Sequence, residues 1–164
     1  MGLTYREANN LGLGNLHPDR PRGRPPGGRP NRTEQRFLDF LELTNESRRR
    51  EHEFPIVFRA QALNLRLGPR TWYRPDVYVY VKGSFHTPDV HACIEIKAGR
   101  KVPAAAGGWK RTYFSRDKGI VKLKVAAGLY PWLSWFLVCP DGDGWQMRTV
   151  GPAGIGPPED EFPW

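Results

Sequence analysis

Two carboxylates and one lysine lie where the strands of a sheet would bring them to one face. In the stretch 74–81, which is rich in aromatic and β-branched residues, alternation places Asp76 on one face and the valines on the other. In a later apolar stretch Glu95 and Lys97 share a face, whereas the isoleucines beside Glu95 point into the opposite layer. Burying charged side chains is costly unless they are paired or bind a metal. These three residues therefore predict a site.

Metal-assisted hydrolysis is the chemistry that such a set would perform. The carboxylates of Asp76 and Glu95, with a strand backbone carbonyl, form an oxygen site suited to Mg²⁺, which keeps several waters. Lys97 lies roughly 6–7 Å further along the strand than Glu95, which leaves room for a water between them. A metal lowers the pKa of such a water and neutralises a phosphate, and Lys97 would orient or help deprotonate the nucleophile.

The surrounding pattern predicts the elements that would position these residues. Apolar side chains at helical spacing predict a first helix from an N-cap at Thr33 to about residues 45–47. The later elements are strands over 54–67, 71–82 and 90–98, a loop over 99–108, a helix over 115–127 between an N-cap at Ser115 and a stop at Gly128, a buried strand over 135–139 and an edge strand over 145–150. The fold class is α/β (α+β), a central mixed β-sheet flanked by helices in the order α-β-β-β-α-β-β.

Composition restricts the partners. The chain has 164 residues, enough for one domain, with 25 Lys and Arg against 17 Asp and Glu and a net charge of +8. Such a surplus favours a polyanion such as nucleic acid. No apolar run approaches the roughly 20 residues of a membrane span, and no secretion signal is visible. Cys93 and Cys139 lie in apolar runs, so we expect free core thiols in a reducing, cytoplasmic environment.

Pro75-Asp76, followed by Glu95-Ile96-Lys97 on the next predicted strand, resembles the PD-(D/E)xK, or restriction-endonuclease-like, nuclease superfamily. The closer likeness is to small phage-related nucleases with a YRPD strand and an EIKG-like strand, which here reads EIKAG. The family's core order, α-β-β-β-α-β, is similar to the order predicted from residue 33 to about residue 139. The resemblance implies a DNA endonuclease that uses Mg²⁺, with Mn²⁺ able to substitute, and leaves a 5′-phosphate. No small-molecule cofactor is implied.

The same resemblance assigns the site residues. Asp76, Glu95 and Lys97 would be catalytic, and the metal would be held by the two carboxylates and the backbone carbonyl of Ile96. Several members of the family have another acid on the first helix, and Glu34 is the matching position. Glu34 lies on the face that should turn inward, which favours a catalytic role. The alternative is that a glutamate in the first turn simply complements the helix dipole.

The candidate contacts to the nucleic-acid backbone are Lys118, Lys122, Arg74 and Arg100. The two lysines stand at i and i+4 on the second helix, where a solvated polar face is an equal alternative. Residues 1–32 form a Pro/Gly/Arg-rich flexible basic arm, which either follows phosphates or is a solvated extension. A nuclease domain over 33–150 and a loosely ordered, Pro-rich acidic tail over 151–164 complete the chain.

Other residues near the candidate strands match no site. Asp89 precedes Glu95 too closely for a turn and a separate strand between them, so we assign it to a loop. His91 and Cys93 share the face of Glu95, but no second ligand pair follows at zinc-finger spacing. The sequence leaves open whether Gln61 faces the site. The tryptophans expected in the core are Trp72, Trp132 and Trp135.

Two further functions stay open from the sequence. The same fold without catalysis would be a nucleic-acid-binding module, whose affinity falls steeply with salt. A nuclease directed to RNA or to branched DNA is the other. The presence of Asp76, Glu95 and Lys97 together favours catalysis. Cutting two strands needs two sites, which favours a homodimer.

Overall fold

A computed structural model describes residues 30–103, 109–112, 118–159 and 162–163. The elements of these residues, in chain order, are α1 (Arg32–Arg50), β1 (Ile56–Ala60), β2 (Leu65–Gly68), β3 (Thr71–Tyr73), β4 (Val77–Val81), β5 (Val90–Ile96), β6 (Arg100–Pro103), β7 (Trp109–Thr112), α2 (Lys118–Leu129), β8 (Ser134–Asp141), β9 (Gly144–Gly151) and β10 (Gly154–Glu159). Six strands form one sheet in the order β1-β4-β5-β8-β9-β10, while β2 pairs with β3 and β6 with β7. The predicted mixed α/β class with a central mixed sheet is confirmed. Neither helix combines the length and the apolar character needed to span a membrane.

Neighbouring strands of the central sheet run antiparallel except at its middle, where β5 and β8 are parallel. Val77 of β4 lies opposite Ile94 of β5, which in turn lies opposite Phe136 of β8. The connection from β5 to β8 contains α2, as the crossover of a parallel pair commonly does. Because β4 and β5 are antiparallel, β4 begins at the end of the sheet where β5 finishes.

The two helices pack on opposite faces of the sheet. Phe37 of α1 belongs to a buried cluster with Ile94 and other alternate residues of β4 and β5. Ile120 of α2 belongs to a second buried cluster, which includes Cys93 from the other face of β5. Because successive strand residues alternate between faces, Glu95 projects to the α2 side.

Helix α1 differs from the prediction at both ends. Its N-cap is Asn31, not Thr33, and the Asn31 side chain accepts hydrogen bonds from the N–H groups of Thr33 and Glu34. The Glu34 side chain accepts from the Asn31 N–H in return, which completes a capping box. The helix extends to Arg50 rather than ending at 45–47, because its last three arginines lie where positive charge interacts favourably with the helix dipole.

A buried asparagine fastens α1 to the edge of the sheet. Asn45 Nδ2 donates to the Ile56 carbonyl over 2.9 Å, and Asn45 Oδ1 accepts from the Ile56 N–H over 2.6 Å. We expect Asn45→Ala to lower the free energy of unfolding by about 2–3 kcal/mol, because it leaves both buried groups without this partner. Urea unfolding measures the change. Glu46→Ala, at the adjacent exposed position, should change it by less than about 0.5 kcal/mol, and equal losses in the two variants would contradict the role of Asn45.

Two predicted strands are each divided into two. The stretch 54–67 contains β1 and β2, separated after Gln61, which adopts the left-handed conformation with a φ of +48°. The stretch 71–82 contains β3 and β4, separated at Pro75, which has no N–H to donate to a strand ladder. The prediction of single strands is therefore wrong in both places. As a result, Asp76 lies immediately before β4 rather than inside a strand.

The C-terminal half contains more strand than predicted. The stretch 99–108, expected to be a loop, contributes β6, which pairs with β7. Strand β9 is not an edge strand, because β10 pairs along it and occupies the edge itself. Residues 154–159 of the expected loose tail thus belong to the sheet, and prolines are tolerated at such an edge. In the described part of the chain, seven strands rather than three lie between the helices.

Two predictions lie outside the described residues, namely the arm up to residue 29 and the N-cap at Ser115. Helix α2 continues through Gly128 to Leu129. Both cysteines are buried thiols, as predicted. Among the tryptophans expected in the core, Trp135 is buried, but Trp132 is 54% exposed, because it precedes β8 rather than lying in it.

Candidate active site

Asp76 is held by hydrogen bonds at both its backbone and its side chain. Its carbonyl accepts a 2.8 Å bond from the N–H of Gln61, and its Oδ2 accepts a 2.7 Å bond from the N–H of Ile96. Asp76 precedes the register pair of Val77 and Ile94, so it lies opposite Glu95. Gln61 thus contributes its backbone to the site, by fixing the residue that carries the first carboxylate.

Glu95 is buried on β5, with 5% of its surface exposed. Its Oε2 accepts a 2.7 Å hydrogen bond from the Tyr73 hydroxyl, and its Oε1 forms a 2.9 Å ion pair with Lys97 Nζ. Both carboxylate oxygens therefore have a donor, which offsets the cost of burying the charge. The Lys97 N–H also donates to the Val138 carbonyl over 2.9 Å, which fixes the lysine beside β8. The structure thus brings Asp76, Glu95 and Lys97 together at one end of the sheet.

The pKa of Asp76 reflects the concentration of negative charge at this end. Burial is the largest cause, followed by the charge of Glu95, and together they raise the pKa of Asp76 to about 7. Glu34 adds to this rise, whereas the Ile96 N–H and Lys97 oppose it. The charge of Glu34 therefore reaches Asp76 from the first turn of α1. The Glu34 carboxylate also belongs to the capping box at the start of α1, and its catalytic role stays a prediction.

Tyr73 is the site residue that the sequence analysis missed. It is buried at the end of β3, and burial, followed by the charge of Glu95, raises the pKa of its hydroxyl far above the ordinary value. The hydroxyl therefore stays protonated and donates to Glu95. In one continuous strand, alternation would place Tyr73 and Asp76 on different faces of the sheet. The break at Pro75 and the β2–β3 hairpin bring it to the side of Glu95 instead.

The donor set fits a hard divalent cation. Asp76 and Glu95 place two carboxylates beside one ammonium group, and a cation would offset the negative charge that raises the pKa of Asp76. Within the described ranges, no group of three or more His, Cys, Asp or Glu side chains is arranged to hold a metal ion. The side-chain ligands would thus be Asp76 and Glu95. Mg²⁺ is commonly held by one or two carboxylates, with waters and phosphates as its other ligands. The carbonyl of Ile96 stays a predicted ligand.

His91 and Cys93 have contacts unlike those of zinc ligands. Cys93 is fully buried, and burial raises the pKa of its thiol, which keeps it protonated. His91 Nδ1 lies 2.7 Å from the Tyr78 hydroxyl. Asp89 lies in the loop before β5, as predicted, where its carboxylate accepts a hydrogen bond from the Tyr80 hydroxyl.

The four predicted backbone-contacting residues have different surroundings. Arg74 is half-buried between β3 and β4, and Lys118 is exposed at the first residue of α2. Lys122 Nζ donates a 2.8 Å hydrogen bond to the Trp72 carbonyl, so its ammonium group fastens α2 to β3. The side chain of Arg100 lies outside the described part of the chain. Their contact with nucleic acid stays a prediction.

Comparison with known proteins adds no assignment. No family model matches the chain, and no curated protein and no solved structure is significantly similar to it. The functional interpretation therefore depends on the residue pattern and on the geometry of Asp76, Glu95 and Lys97.

Proposed function

We propose that the protein is a Mg²⁺-dependent nuclease with a restriction-endonuclease-like, PD-(D/E)xK core, which hydrolyses phosphodiester bonds within DNA. The observation that supports this most strongly is the cluster at the end of β5. There Asp76 accepts from the backbone of β5, and buried Glu95 pairs with Lys97 over 2.9 Å. The net charge of +8 further supports a polyanionic substrate.

Each member of the cluster has a proposed role. Asp76 and Glu95 hold the divalent cation, with the Ile96 carbonyl as a third ligand. When bound, the cation supplies a Lewis acid that lowers the pKa of water and offsets phosphate charge. Lys97 orients the attacking water and stabilises the negative charge that develops on the phosphate. The water oxygen bonds to phosphorus, the bond to the 3′ oxygen breaks, and the 3′ oxygen takes up a proton, which leaves a 5′-phosphate.

Glu34 is the proposed auxiliary acid. Its charge raises the pKa of Asp76 although the two residues lie on different elements, so it is close enough to influence the same phosphate and water. The capping box holds it in the first turn of α1. The position of α1 depends in turn on Asn45, which makes Asn45 important for the site as well as for stability.

Tyr73 is the proposed positioning residue for Glu95. We expect Tyr73→Phe to raise the Mg²⁺ concentration for half-maximal cleavage, or to lower the rate, by about 10- to 100-fold, as the loss of partners that orient metal ligands commonly does. Phenylalanine retains the ring and its packing against Trp135, so the fold should be kept. Cleavage rates measured across a range of Mg²⁺ concentrations provide the test.

Tyr130→Phe is the matched control for this prediction. The Tyr130 hydroxyl donates to the Arg66 carbonyl over 2.8 Å, so the substitution also removes one tyrosine hydrogen bond, but away from Glu95. Its rate should stay within about twofold of wild type. A Tyr73→Phe variant with an unchanged metal dependence would remove Tyr73 from the site.

The proposed function is tested by incubating the purified chain with duplex, single-stranded, flapped and junction DNA and with RNA. Each substrate is offered with Mg²⁺, with Mn²⁺ and with a chelator. We expect cleavage with either cation, none with the chelator and none by Glu95→Gln. Glu42→Gln, which changes an exposed glutamate of α1, should cut like the wild type. Binding without cleavage under both cations would contradict the proposal and indicate a non-catalytic module.

A further inference from the structure

An aromatic row continues from Asp76 along the same face of the sheet. Tyr78 and Tyr80 follow Asp76 on β4 at two-residue steps, so they project to the same side. On β5, His91 lies directly opposite Tyr80. On β1, Arg59 lies directly opposite Tyr78. Directly opposite residues project to the same face of a sheet, so the row spans three neighbouring strands.

This part of the face is accessible to solvent. Helix α2 and the β2–β3 hairpin pack over the neighbouring part, where Cys93 is fully buried. Beyond Cys93 the side chains become exposed: Tyr80 and His91 are partly exposed, and Arg59 is exposed. Val57, opposite Tyr80 on β1, is 50% exposed. Tyr78 packs against the buried cluster on the α2 side, whereas Tyr80, His91 and Arg59 lie at the surface.

Hydrogen bonds hold the tyrosine rings over the strands. The Tyr80 hydroxyl donates to Asp89 over 3.0 Å, and the Tyr78 hydroxyl lies 2.7 Å from His91 Nδ1. Neither tyrosine contacts its own register partner with its hydroxyl. Tyr80, which is paired with His91, contacts Asp89, and Tyr78, which is paired with Cys93, contacts His91. The His91 ring centroid lies 5.0 Å from that of Tyr80 and 6.3 Å from that of Tyr78, with 39° and 33° between the ring planes. The three rings are therefore ordered before any ligand arrives, which lowers the entropic cost of binding.

We propose that the surface formed by Arg59, Tyr78, Tyr80 and His91 binds unpaired nucleotides of a single-stranded segment of the substrate, beside the part of the face that α2 and the β2–β3 hairpin cover. Aromatic rings beside a guanidinium group bind single strands by stacking on bases, largely independently of sequence. In a duplex the bases already stack on one another and do not present their faces. The positive charge of the chain favours this polyanion over an apolar partner. The inference rests on the proposed function, because it names the form of substrate that the same site receives.

The test measures affinity without cleavage. Fluorescence anisotropy follows binding of the full-length chain to a labelled single strand of about 20 nucleotides, and to its duplex, in the presence of a chelator. Tyr80→Ala should weaken single-strand binding about tenfold or more, because a stacking ring is lost, and duplex binding by less than about twofold. Tyr80→Phe retains the ring but loses its hydrogen bond to Asp89, so it should weaken single-strand binding by less than about threefold.

Two further variants distinguish this surface from general effects. Phe85→Ala removes a ring that is 98% exposed in the loop after β4, and it should leave single-strand affinity within about twofold. The logarithm of single-strand affinity falls linearly with the logarithm of salt concentration, and Arg59→Gln should make this slope less steep by about 0.7, as expected for one lost phosphate contact. This second measurement does not depend on how well Tyr80→Ala folds. Unchanged single-strand affinity in Tyr80→Ala, an unchanged slope in Arg59→Gln, or equal losses of affinity for single strand and duplex would each overturn the inference.

The outcome also separates this inference from the proposed function. A wild type that cuts DNA with Mg²⁺ while Tyr80→Ala binds single strands normally would overturn the surface and retain the nuclease. Ring-dependent binding of single strands by a wild type that never cuts would support the surface and contradict the nuclease.

Discussion

Replacing Lys97 by alanine is expected to lower the single-turnover rate of DNA cleavage by about 10²–10³-fold, the usual cost of removing one group that stabilises charge in the transition state. In the proposed mechanism the ammonium group, which lies 2.9 Å from Glu95 Oε1, acts on the attacking water and on the charge that develops in the transition state. Affinity for DNA should change by less than about threefold, because one of 25 basic residues is lost. Quenched-flow cleavage and anisotropy binding measure the two quantities separately.

Two variants control for effects other than charge. Lys97→Met retains most of the side-chain stem, so it separates loss of the ammonium group from loss of packing. Lys82→Ala removes an exposed lysine whose Nζ lies over the Phe54 ring, beyond the far end of β4, and should cut at about the wild-type rate. Cleavage by Lys97→Met at the wild-type rate would contradict the role assigned to Lys97.

Asp76→Asn is expected to abolish cleavage and to make the metal-free protein more stable than the wild type at about pH 8. Burial, and then the charge of Glu95, raise the pKa of Asp76 from 3.8 to about 7. Because the pKa of Asp76 is higher in the folded protein, Asp76 contributes to the free energy of unfolding. This contribution is fully present below about pH 4 and is lost as the pH rises through about 7. Because each pKa unit is worth about 1.4 kcal/mol, ionisation of Asp76 withdraws up to about 4 kcal/mol. Asparagine bears no such charge, and its side-chain carbonyl retains an acceptor for the Ile96 N–H.

Urea unfolding at about pH 4, 6 and 8 in chelator tests this pH dependence. The stability difference between Asp76→Asn and wild type should grow with pH. Asp89 gives the opposite sign, because hydrogen bonds from the Gly83 N–H and then from Tyr80 lower its pKa. The stability that Asp89 contributes is present above its ordinary pKa of about 4 and is lost only at lower pH, so the stability difference between Asp89→Asn and wild type should stay nearly constant between pH 4 and 8. A stability difference for Asp76→Asn that does not change between pH 4 and 8 would contradict the crowding of negative charge at the site.

Alternation along two short stretches was sufficient to predict the faces of the central residues. The valines of β4 and Ile94 and Ile96 of β5 are buried in the cluster with α1, and Glu95 lies on the other side. A period of two is a local property of the chain, so it can be read without knowing the tertiary structure. The short spacing between Asp89 and Glu95, another local property, correctly assigned Asp89 to a loop. The mixed sheet between two helices followed from the order of such stretches.

Features that depend on distant parts of the chain could not be predicted in this way. Tyr73 reaches Glu95 only because Pro75 interrupts the strand and β3 pairs with β2. Strand β10 has the sequence GIGPPE, which has little intrinsic preference for a strand, and it forms because β9 offers an unpaired edge. The N-cap at Asn31 is different, because its capping box with Glu34 is local, and the pattern of an asparagine three residues before a glutamate was already present in the sequence.

Binding of a divalent cation tests the central claim, that Asp76 and Glu95 form a cation site beside Lys97, more directly than any other measurement. Isothermal titration calorimetry with Mn²⁺ at neutral pH would compare the wild type with Glu95→Gln and with the control Glu42→Gln. We predict saturable binding by the wild type and the control, with affinity at least about tenfold weaker in Glu95→Gln. The absence of binding by the wild type, or equal affinity in all three proteins, would contradict the claim.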